Sequence, residues 1–499
     1  MATSEQVAPQ LAGRKMVIVF VGLALAMFLA SLDQTIVTTT LPVIAGDLGG
    51  FDRLSWIIVA FQLASASATP LWGRTSDLFG RKRLLLIAVS MFLVASALCG
   101  LAQNMGELIA FRAAQGAAAG GVMTLAMSAV ADIMPSRIRG RYQGYLQLVF
   151  VLSRVIGPVL GGLLVVVGTW RLVFYLNLPI GAVALWMLAA NLRLPVRPAR
   201  RSIDYFGAGL LVSGITGILL VTEWGGQSYA WKSPQIIVLA AVSVAMLALF
   251  AWWERRVPDP ILPLRLFRSP IFLIVVTTLF LSTAMQTAIL LFMPSFTQIV
   301  LGVTPATSGL LLLPMTIGIG GSMVVAGRLI AKHGHYKRFP VLGLATTLVA
   351  TVLFAQISVH TSELTILFDM MLFGVGFGMV AQVLVISVQN DVESKDNGVA
   401  TASANLFRSL GSSVGAAVLG AVFASRLADQ LTPAATRAGA GAVLNNPSVV
   451  HLLPMAARVD AVNAVSGAVQ TVFVVTAVVA ALAFVVVLFL KPRALRTTL

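Results

Sequence analysis

Apolar stretches of about 18 to 26 residues recur along almost the whole chain, separated by short polar segments. Because an α-helix rises about 1.5 Å per residue, each stretch can cross a hydrocarbon core of about 30 Å. About fourteen spans are predicted, at 16–40, 55–73, 84–102, 107–131, 142–167, 172–192, 205–224, 235–253, 271–292, 307–327, 340–358, 364–389, 398–422 and 468–490. The pattern therefore predicts an all-α polytopic membrane protein.

Composition agrees with a membrane protein. Hydrophobic residues make up 58% of the 499 residues and charged residues only 10%, whereas about a quarter of the residues in soluble domains are charged. The first span is too long for the apolar core of a signal peptide and lacks a small-residue cleavage site, so we expect it to be retained. The loops are almost all too short for a soluble catalytic domain, so no enzyme activity is expected.

The net charge of +16 follows the predicted membrane orientation. With a cytoplasmic N-terminus, 25 of the 34 Lys and Arg residues fall on cytoplasmic segments and 6 on outer segments, while Arg112, Arg154 and Arg408 fall inside spans. Cytoplasmic loops of membrane proteins are enriched in Lys and Arg, which also contact anionic lipids. The sequence therefore predicts two cytoplasmic termini, membrane lipids as partners and no nucleic-acid partner.

Internal matches divide the chain into two related halves. The matched pairs are 33–35 (DQT) with 285–287 (MQT), 72–80 with 326–334, and 153–162 with 411–420. Their offsets drift from 252 to 258 residues in chain order, as expected for two copies of one helix bundle. Two such bundles facing each other are typical of a transporter that alternates access to a central site.

The repeat sets the expected domain boundaries. We expect a cytoplasmic tail at 1–15, an N-terminal six-helix bundle at 16–192, cytoplasmic linkers with two inserted helices at 193–270, a C-terminal six-helix bundle at 271–490 with an outer loop at 426–465, and a cytoplasmic tail at 491–499. Both a partly helical hairpin and a flexible linker fit the outer loop.

Five motifs resemble those of one known family. They are LDQTIVTTTLP (32–42), GRTSDLFGRKRLL (73–85), LIAFRAAQGAAAGG (108–121), SRVIGPVLGG (153–162) and WRLVFYLNLPIG (170–181). Together they resemble the major facilitator superfamily and, within it, the fourteen-span drug:proton antiporters. The resemblance covers essentially the whole chain. It implies two six-helix bundles, two inserted helices, and export of drugs in exchange for protons.

Asp33 and Arg112 are the main candidates for proton coupling. An acid inside an apolar span costs a few kcal/mol, and the matching residue in the second half is Met285, so the shared architecture does not require the acid. The resemblance places the first and fourth spans together. Burial opposes the charged carboxylate and an arginine stabilises it, so we expect this pair to act as a proton switch; an ion pair that only packs helices is the alternative.

Two further acids are weaker coupling candidates. Asp369 lies about 9 Å into the twelfth span, measured by helix rise from Glu363. Glu223 precedes Trp224 at the outer end of the seventh span, where aromatic residues mark the membrane interface. An interfacial role is the alternative for Glu223.

The loop at 73–85 carries a candidate conformational latch. Its residues, with one from the fourth span, are Gly73, Asp77, Gly80, Arg81 and Asp132. The glycines allow close backbone approach and positive φ, and the first aspartate can face a helix N-terminus, where a negative charge is favourable. The resemblance suggests the helix beginning near 398 for that contact, and a pair between the arginine and the second aspartate. We expect the cluster to hold the outward-facing state; a plain positive-inside loop is the alternative.

The fifth span carries a segment that resembles the family's antiporter motif. Its residues are Ser153, Arg154, Gly157, Pro158, Gly161 and Gly162. Small residues let helices pack closely, and proline bends a helix by removing a backbone hydrogen bond. Ser153 stands where the family usually has glycine, and Arg154 needs a partner or water at this depth. Ordinary helix packing fits the same pattern.

Polar, aromatic and methionine side chains form the expected substrate surface. The candidates are Gln34, Trp56, Gln62, Gln115, Met123, Gln286, Phe296 and Gln382. The resemblance places their spans around the transport pathway, and methionine and aromatic side chains adapt to varied apolar ligands. Each candidate can instead face lipid or pack between helices.

These features predict proton-coupled efflux of lipophilic, cationic drugs or toxic compounds by a monomer in a bacterial plasma membrane. The four histidines lack metal-ligand spacing, and no phosphate-binding GxxxxGK[ST] motif occurs, so we expect no cofactor and a proton gradient as the energy source. An exporter of a single endogenous metabolite, antibiotic or lipid is the nearest alternative. A polyprenol-dependent membrane enzyme would need clustered acids at one face, and a channel would not depend on a pH gradient.

Overall fold

The computed structural model describes most of the predicted spans as helices. The described residues are 14–49, 53–134, 142, 145, 146, 149, 150, 152, 153, 156, 157, 160–164, 169–192, 194, 204–225, 229–257, 260, 262, 264–334, 336–392, 396–432 and 453–491. The tails 1–13 and 492–499 and most of the predicted outer loop lie outside them, so the expectations for those segments stay predictions.

The helices follow one another with short connections. They are α1 (Arg14–Leu48), α2 (Leu54–Phe79), α3 (Arg81–Leu101), α4 (Met105–Ile133), α5 (Arg171–Tyr175), α6 (Asn177–Asn191), α7 (Tyr205–Trp224), α8 (Pro234–Glu254), α9 (Pro270–Ile299), α10 (Pro305–Leu311), α11 (Leu313–His333), α12 (Arg338–Phe354), α13 (Glu363–Asp391), α14 (Asn397–Gln430) and α15 (Met455–Leu488). A 3-10 turn, Leu264–Arg268, precedes α9. We call the membrane side that carries residues 73–85 the inner side.

Several helix starts follow from their capping residues. At α4, the Asn104 side chain accepts a hydrogen bond from the Glu107 N–H (2.9 Å), and the Glu107 carboxylate accepts one from the Gln103 N–H (2.9 Å). At α8 and α9, Ser233 and Ser269 cap the helix and a proline occupies the first turn. Such residues satisfy backbone N–H groups that have no partner within the helix.

Eleven helical segments among the described residues are long and apolar enough to cross a membrane. Two other predicted spans fall in α2, which ends in a polar segment, and in the shorter apolar helix α12. The predicted span at 142–167 is described only in part. The all-helical membrane architecture is therefore confirmed, and the count of fourteen spans stays a prediction.

The two halves repeat one very close helix–helix contact, in which glycines pack on backbone carbonyl groups. The contacts are Gly116 with Phe61 and Gly120 with Ser65 between α4 and α2, and Gly374 with Met315 and Gly378 with Ile319 between α13 and α11. Equivalent glycines of the two halves are 258 residues apart in the chain, and their partners are 254 residues apart. Both distances along the chain also occur in the sequence repeat. Because glycine has no Cβ, the two backbones can approach closely.

The first helix of each half is also held in an equivalent way. Thr35 Oγ1 of α1 donates a hydrogen bond to the carbonyl oxygen of Ser153 (2.9 Å). Thr283 Oγ1 of α9 donates one to the carbonyl oxygen of Arg408 in α14 (3.0 Å). Residues 153–162 and α14 are matched in the sequence repeat, so α1 and α9 have equivalent neighbours.

The two halves touch each other on the inner side. The contacts are Asp77 with Val399 (3.1 Å), Thr124 with Asn405 (3.4 Å) and Tyr145 with Arg328 (3.3 Å). Each of these three contacts uses a polar side chain. Where α2 meets the start of α14, Gly73 also packs closely on the backbone carbonyl group of Gly398. The seam between the halves therefore combines polar groups that can exchange partners with a close backbone contact.

The inserted helices α7 and α8 form a hairpin beside this seam. Gly217 of α7 packs on Ser243 of α8, and Thr216 of α7 forms a hydrogen bond with Ser67 of α2 (2.9 Å). The helix α7 also packs against α14 of the second half. The hairpin therefore contacts both halves.

Gly116→Ala is expected to destabilise the protein, because the added Cβ would overlap the Phe61 carbonyl group. Overpacking of this kind costs about 1–3 kcal/mol, so the midpoint of thermal unfolding in detergent should fall. Gly420→Ala is the matched control, since nothing lies within 4 Å of an added Cβ there. Alanine favours a helix over glycine, so the control midpoint should stay the same or rise. An equal decrease in both variants would contradict the close-contact interpretation.

Candidate functional site

Asp33 lies at the centre of a buried polar network. It sits within α1 with 0% of its surface exposed, and three side chains donate hydrogen bonds to its carboxylate. Arg112 Nη1 binds Oδ2, while Gln115 Nε2 and Asn177 Nδ2 bind Oδ1 at 2.9 and 2.8 Å. Both carboxylate oxygens are therefore occupied.

Arg112 is held by α2 as well as by Asp33. Its Nε donates to the carbonyl oxygen of Ile57 (3.2 Å), and its Nη1 also donates to Gln115 Oε1 (2.8 Å). The guanidinium carbon lies 4.3 Å from the centroid of the Phe61 ring, whose face attracts a cation most strongly where water is absent. With 1% of its surface exposed, Arg112 can reach water only if helices move.

Asn177 extends the network to two more helices. Its Nδ2 also donates to Ser96 Oγ (2.9 Å), and Ser96 Oγ donates to the carbonyl oxygen of Phe174 (2.8 Å). Cys99 Sγ lies 3.6 Å from Gln115 Oε1. The network therefore joins the six helices α1 to α6, all within the first half.

The hydrogen bonds around Asp33 match an ionised carboxylate. As a carboxylate, Asp33 accepts three N–H donors, whereas a protonated carboxyl would bring an O–H that needs an acceptor. Gln115 and Asn177 can supply that acceptor by turning their amide oxygens toward it. Protonation would also remove the charge that makes the Arg112 hydrogen bond strong. A proton on Asp33 would therefore loosen the contact between α1 and α4.

The sequence pattern pointed to Asp33 and Arg112 but not to Asn177 or Ser96. One signal for Asn177 was present, because an amide stands inside the apolar motif at 170–181 and polar groups in membrane helices need partners. Ser96 gave no such signal, because a hydroxyl can bond to its own helix. Both residues become visible only once α3 and α6 are seen to meet at Asp33.

Among its described residues, the second half has no equivalent of this network. Met285 matches Asp33, and Met370 matches Arg112 at the 258-residue offset of the α4 glycines. Both methionines are buried in the same apolar core. The helix positions are therefore shared by the two halves, and the charged pair belongs to one of them.

On the inner side, Arg81 lies between two aspartates. Its Nη2 donates to Asp77 Oδ1 (2.8 Å), its Nε to Asp132 Oδ2 (3.0 Å), and its Nη1 to the carbonyl oxygen of Ser128 (2.9 Å). The other oxygen of Asp77 accepts a hydrogen bond from the backbone N–H of Val399 in the second half (3.1 Å). The cluster therefore links α2 and α4 to the start of α14.

Two glycines shape this cluster. Gly80 joins α2 to α3 with φ 91°, a conformation that glycine adopts without strain. Gly73 packs directly on the carbonyl group of Gly398 and the methyl group of Ala402. Val399 lies in the first turn of α14, where free N–H groups favour a carboxylate. The five residues named as a latch therefore lie together at the seam between the halves.

The two other candidate acids lie outside the first bundle. Glu223 is partly exposed at the end of α7, next to Trp224, whose ring centroid is 5.8 Å from that of Trp56. Asp369 is buried in α13, two turns from Gly376, which packs on α12. Its Oδ2 has no hydrogen-bond partner among the described residues. Asp369 therefore shares the face of α13 that packs within the second half. Within the described ranges, no group of three or more His, Cys, Asp or Glu residues is placed to hold a metal ion.

The predicted substrate contacts fall into two groups. The buried ones are Gln115, Phe296 and Gln382. The ones with partly or fully exposed surface are Gln34, Trp56, Gln62, Met123 and Gln286. Gln115 contacts Asp33, and Phe296 lies in the apolar core of the second half. In this conformation only the second group can reach a ligand or lipid without repacking.

The antiporter-motif segment packs on α1. Ser153 is buried and accepts the hydrogen bond from Thr35 described above, and Gly157 packs on the Thr35 side chain. Thr35 is two residues from Asp33, so this contact positions the part of α1 that carries the acid. Of the remaining motif residues, Gly161 is buried, Gly162 is exposed, and Arg154 and Pro158 lie outside the described residues.

An acid–arginine pair on the outer side gives a contrast to Asp33. Asp47 lies at the end of α1, beyond the predicted span, and accepts hydrogen bonds from Trp170 Nε1 and Arg171 Nη1, both at 2.8 Å. These hydrogen bonds lower the pKa of Asp47, and the one from Trp170 has the larger effect. The Asp47 side chain is exposed and that of Arg171 is partly exposed, so water screens their charges.

Comparisons with known proteins give consistent matches. The family model described as Major Facilitator Superfamily matches residues 23–416. An uncharacterized MFS-type transporter of Mycobacterium tuberculosis is 36% identical over 478 residues, which cover 95% of this chain and 69% of that protein. Multidrug resistance protein 3 of Bacillus subtilis is 31% identical over 493 residues, covering 96% of each. The crystal structure of the human organic anion transporter MFSD10 (TETRAN) is similar in fold, with a TM-score of 0.64 and 16% identity, over 95% of this chain and 100% of that one.

Arg112→Gln is expected to destabilise the protein strongly, because it leaves the buried Asp33 carboxylate without its cation. Breaking a buried pair from one side costs about 3–5 kcal/mol. The double variant Asp33→Asn/Arg112→Gln removes both charges and should recover part of the loss. Thermal unfolding of the purified variants in detergent measures both effects.

The exposed pair of Asp47 and Arg171 supplies the control for this experiment. Arg171→Gln also removes an arginine from an aspartate, but the pair is solvated, so only a small change in the unfolding midpoint is expected. The single variants Asp33→Asn and Arg112→Gln complete the comparison. If the double variant Asp33→Asn/Arg112→Gln loses as much stability as these two single variants added together, Asp33 and Arg112 are not coupled.

Proposed function

The chain belongs to the major facilitator superfamily, and we propose that it exports lipophilic small molecules in exchange for protons. The likeness to a Bacillus subtilis protein named for multidrug resistance supports the efflux part. The observation that carries the proton part is the buried pair of Asp33 and Arg112 with its amide partners. The proton gradient is then the energy source, with no resident cofactor.

Proton coupling would come from a change in the surroundings of the Asp33 carboxylate. Movement between the two open states would change the solvation and the pairing of Asp33, and so its affinity for a proton. One unit of pH difference supplies about 1.4 kcal/mol per proton, and 100 mV supplies about 2.3 kcal/mol per charge. One proton entering for each molecule exported is therefore enough for useful efflux. Asp369 and Glu223 are secondary candidates for the same role.

The antiporter-motif segment would transmit this movement to the acid. Thr35 is hydrogen-bonded to Ser153, two residues from Asp33 in α1, and Gly157 packs on the same threonine. A shift of the segment at 153–162 against α1 would therefore move the Asp33 carboxylate relative to its donors. Arg154, Pro158, Gly161 and Gly162 belong to the same proposed motif.

The substrate is proposed to bind between the two halves. A cationic substrate that competes with the proton would have to touch the Asp33 carboxylate, which Arg112, Gln115 and Asn177 enclose in this conformation. Such competition therefore requires a second conformation in which these contacts open. The candidate contacts with accessible surface are Gln34, Trp56, Gln62, Met123 and Gln286; Gln115, Phe296 and Gln382 would contribute only after repacking.

The membrane arrangement proposed for this exporter is a monomer with fourteen spans and two cytoplasmic termini in a bacterial plasma membrane. The charge bias supports it, with 25 Lys and Arg residues on the predicted cytoplasmic side and 6 on the outer side. The repeated contacts of α2 with α4 and of α11 with α13 support two six-helix bundles at 16–192 and 271–490. The two helices at 193–270 are then an insertion between them.

The cluster around Arg81 is proposed to hold the inner side closed while the outer side is open. Asp77 is shared by Arg81 in its own half and Val399 in the other half. When the halves separate, Arg81 can keep the carboxylate paired after Val399 leaves. Opening then costs about one charge-assisted hydrogen bond, roughly 1.5–3 kcal/mol, which suits a reversible latch.

Asp33→Asn is expected to abolish transport driven by a pH gradient in proteoliposomes, because asparagine cannot bind and release a proton. Downhill exchange of the same substrate should persist, since it needs no proton. Asp369→Asn and Glu223→Gln, measured in parallel, show whether coupling depends on either of these acids as well. Gradient-driven transport retained in Asp33→Asn would exclude Asp33 as the coupling site.

The range of compounds moved by the wild-type protein separates two kinds of exporter. A multidrug exporter should move several unrelated lipophilic compounds, and an exporter of one endogenous product should move one structural class. Survival of cells producing the protein in the presence of unrelated toxic compounds measures this range. Protection against one class alone would favour the single-product exporter.

Asp77→Asn is expected to shift the protein toward inner-side opening, because it weakens the bonds to Arg81 and Val399. Spin labels at Arg83 and Arg338, both exposed, can report the inner distance by pulsed electron resonance in a Cys99→Ser background. The variant should show a larger population at long distance. Asp429→Asn removes an exposed acid at the opposite end of α14 and should leave the distribution unchanged. Identical distributions for Asp77→Asn and wild type would contradict the latch.

A further inference from the structure

The helix α14 carries a polar stretch deep inside a membrane span. Its polar residues are Thr401, Ser403, Asn405, Arg408, Ser409, Ser412 and Ser413. Arg408 is the charged member of this stretch. It lies eleven residues into the helix, about 16 Å from its inner end by helix rise. The backbone carbonyl oxygen of Arg408 accepts a hydrogen bond from Thr283 Oγ1 of α9. This bond fixes the position of Arg408 relative to α9.

The direction of the Arg408 side chain follows from its neighbours on the same face of α14. One turn before it, Asn405 donates a hydrogen bond to Thr124 of α4 in the first half (3.4 Å). One turn after it, Ser412 forms a hydrogen bond with Thr287 of α9 (2.8 Å). Residues three and four apart share a helix face. Arg408 therefore lies on the face that looks toward both α4 and α9, between the two halves.

A polar residue of α13 lies at the same depth. Near the inner side, Gln389 of α13 donates a hydrogen bond to Thr401 of α14 (2.9 Å). The two helices run in opposite directions from there, so Gln382 and Arg408 are each seven residues, about 10 Å, further out. Gln382 was one of the predicted substrate contacts, and this register places it at the level of Arg408.

Hydrogen bonds from α14 to the first half, within the described residues, end at Asn405. They start at Val399, which binds Asp77, and Arg408 is the next turn beyond Asn405. Beyond it, Ser412 contacts α9 of its own half instead. Arg408 therefore stands where the inner contacts between the halves stop.

The guanidinium group of Arg408 has no partner within the described part of the chain. It forms no hydrogen bond or ion pair there, and its side chain keeps part of its surface accessible. Asp33 is held by Arg112, and Asp369 lies near the outer end of α13. The acids outside the described residues are Glu5, Asp52, Asp259 and Glu393, all in predicted loops or the N-terminal tail.

An unpaired cation at this depth costs several kcal/mol unless it faces water or a ligand of opposite charge. A guanidinium group offers a planar fork of N–H donors that matches a carboxylate or a sulfonate. We propose that Arg408 binds the anionic group of a lipophilic substrate in the space between the two halves. This inference rests on the proposed efflux function, and it makes lipophilic organic acids a substrate class of this site.

Two dyes with one xanthene scaffold and opposite charge can test this inference. Fluorescein is anionic at pH 8 and rhodamine 123 is cationic, and fluorescence anisotropy measures their Kd values on purified protein in lipid nanodiscs. Arg408→Gln should raise the Kd of fluorescein about tenfold or more, equivalent to about 1.4 kcal/mol. The Kd of rhodamine 123 should stay the same or fall. Arg408→Lys should lie between wild type and Arg408→Gln, because lysine keeps the charge without the fork.

Arg256→Gln is the matched control, since it removes an exposed arginine beside Trp252 at the inner end of α8 and should leave both Kd values unchanged. An unchanged fluorescein Kd in Arg408→Gln, or an equal change for both dyes, would overturn the inference.

Transport in proteoliposomes separates this result from the proposed function. If fluorescein binding depends on Arg408 but neither dye is transported in response to a pH gradient, the anion site is supported and the proposed efflux function is contradicted. If a pH gradient drives transport of rhodamine 123 but fluorescein binding does not depend on Arg408, the efflux function is supported and the anion site is contradicted.

Discussion

A charged group inside a membrane protein has to be paired or to face water or a ligand, and this requirement organises the first half of the molecule. Six helices supply groups to the network around Asp33 and Arg112, and every donor that reaches the carboxylate comes from a buried side chain. The second half places Met285 and Met370 at the matching positions and packs them in an apolar core. The bundle can therefore be built without the charge, which makes the charged pair a feature added to a shared framework.

The molecule uses two kinds of helix contact for different purposes. Within each half, glycines bring backbones together, as at Gly116 and Gly374. Between the halves, polar side chains also meet polar groups, as at Asp77 and Asn405, beside the close contact of Gly73 with Gly398. Backbone contacts leave little freedom to shift, whereas polar side chains can exchange one partner for another or for water. Separation of the halves therefore breaks the backbone contact at Gly73 and lets the polar groups of the seam exchange partners.

Much of the fold could be predicted from the sequence, because span length and the internal repeat depend on local composition and spacing. The individual site residues were harder to predict from the sequence, because a hydropathy pattern does not show which faces of the helices meet. Asp33 and Arg112 were visible as charges in apolar spans, but Ser96 and Ile57 enter the network through a hydroxyl and a backbone carbonyl, which leave no mark in a hydropathy pattern. Likewise, the hydropathy pattern does not show that Asp369 lies on the face of α13 that packs on α12. That face becomes clear only from the contact of Gly376 with α12.

The contacts of Gly116 and Gly120 with α2 extend over a full helical turn and leave no space for side chains between the two backbones. We therefore expect α2 and α4 to move together as one rigid body. A displacement of α4 near Arg112 would then also displace α2 and the turn at Gly80 that follows it. Events in the middle of the bilayer can therefore reach the inner surface through rigid displacement, with no relay of side-chain rotations along the way.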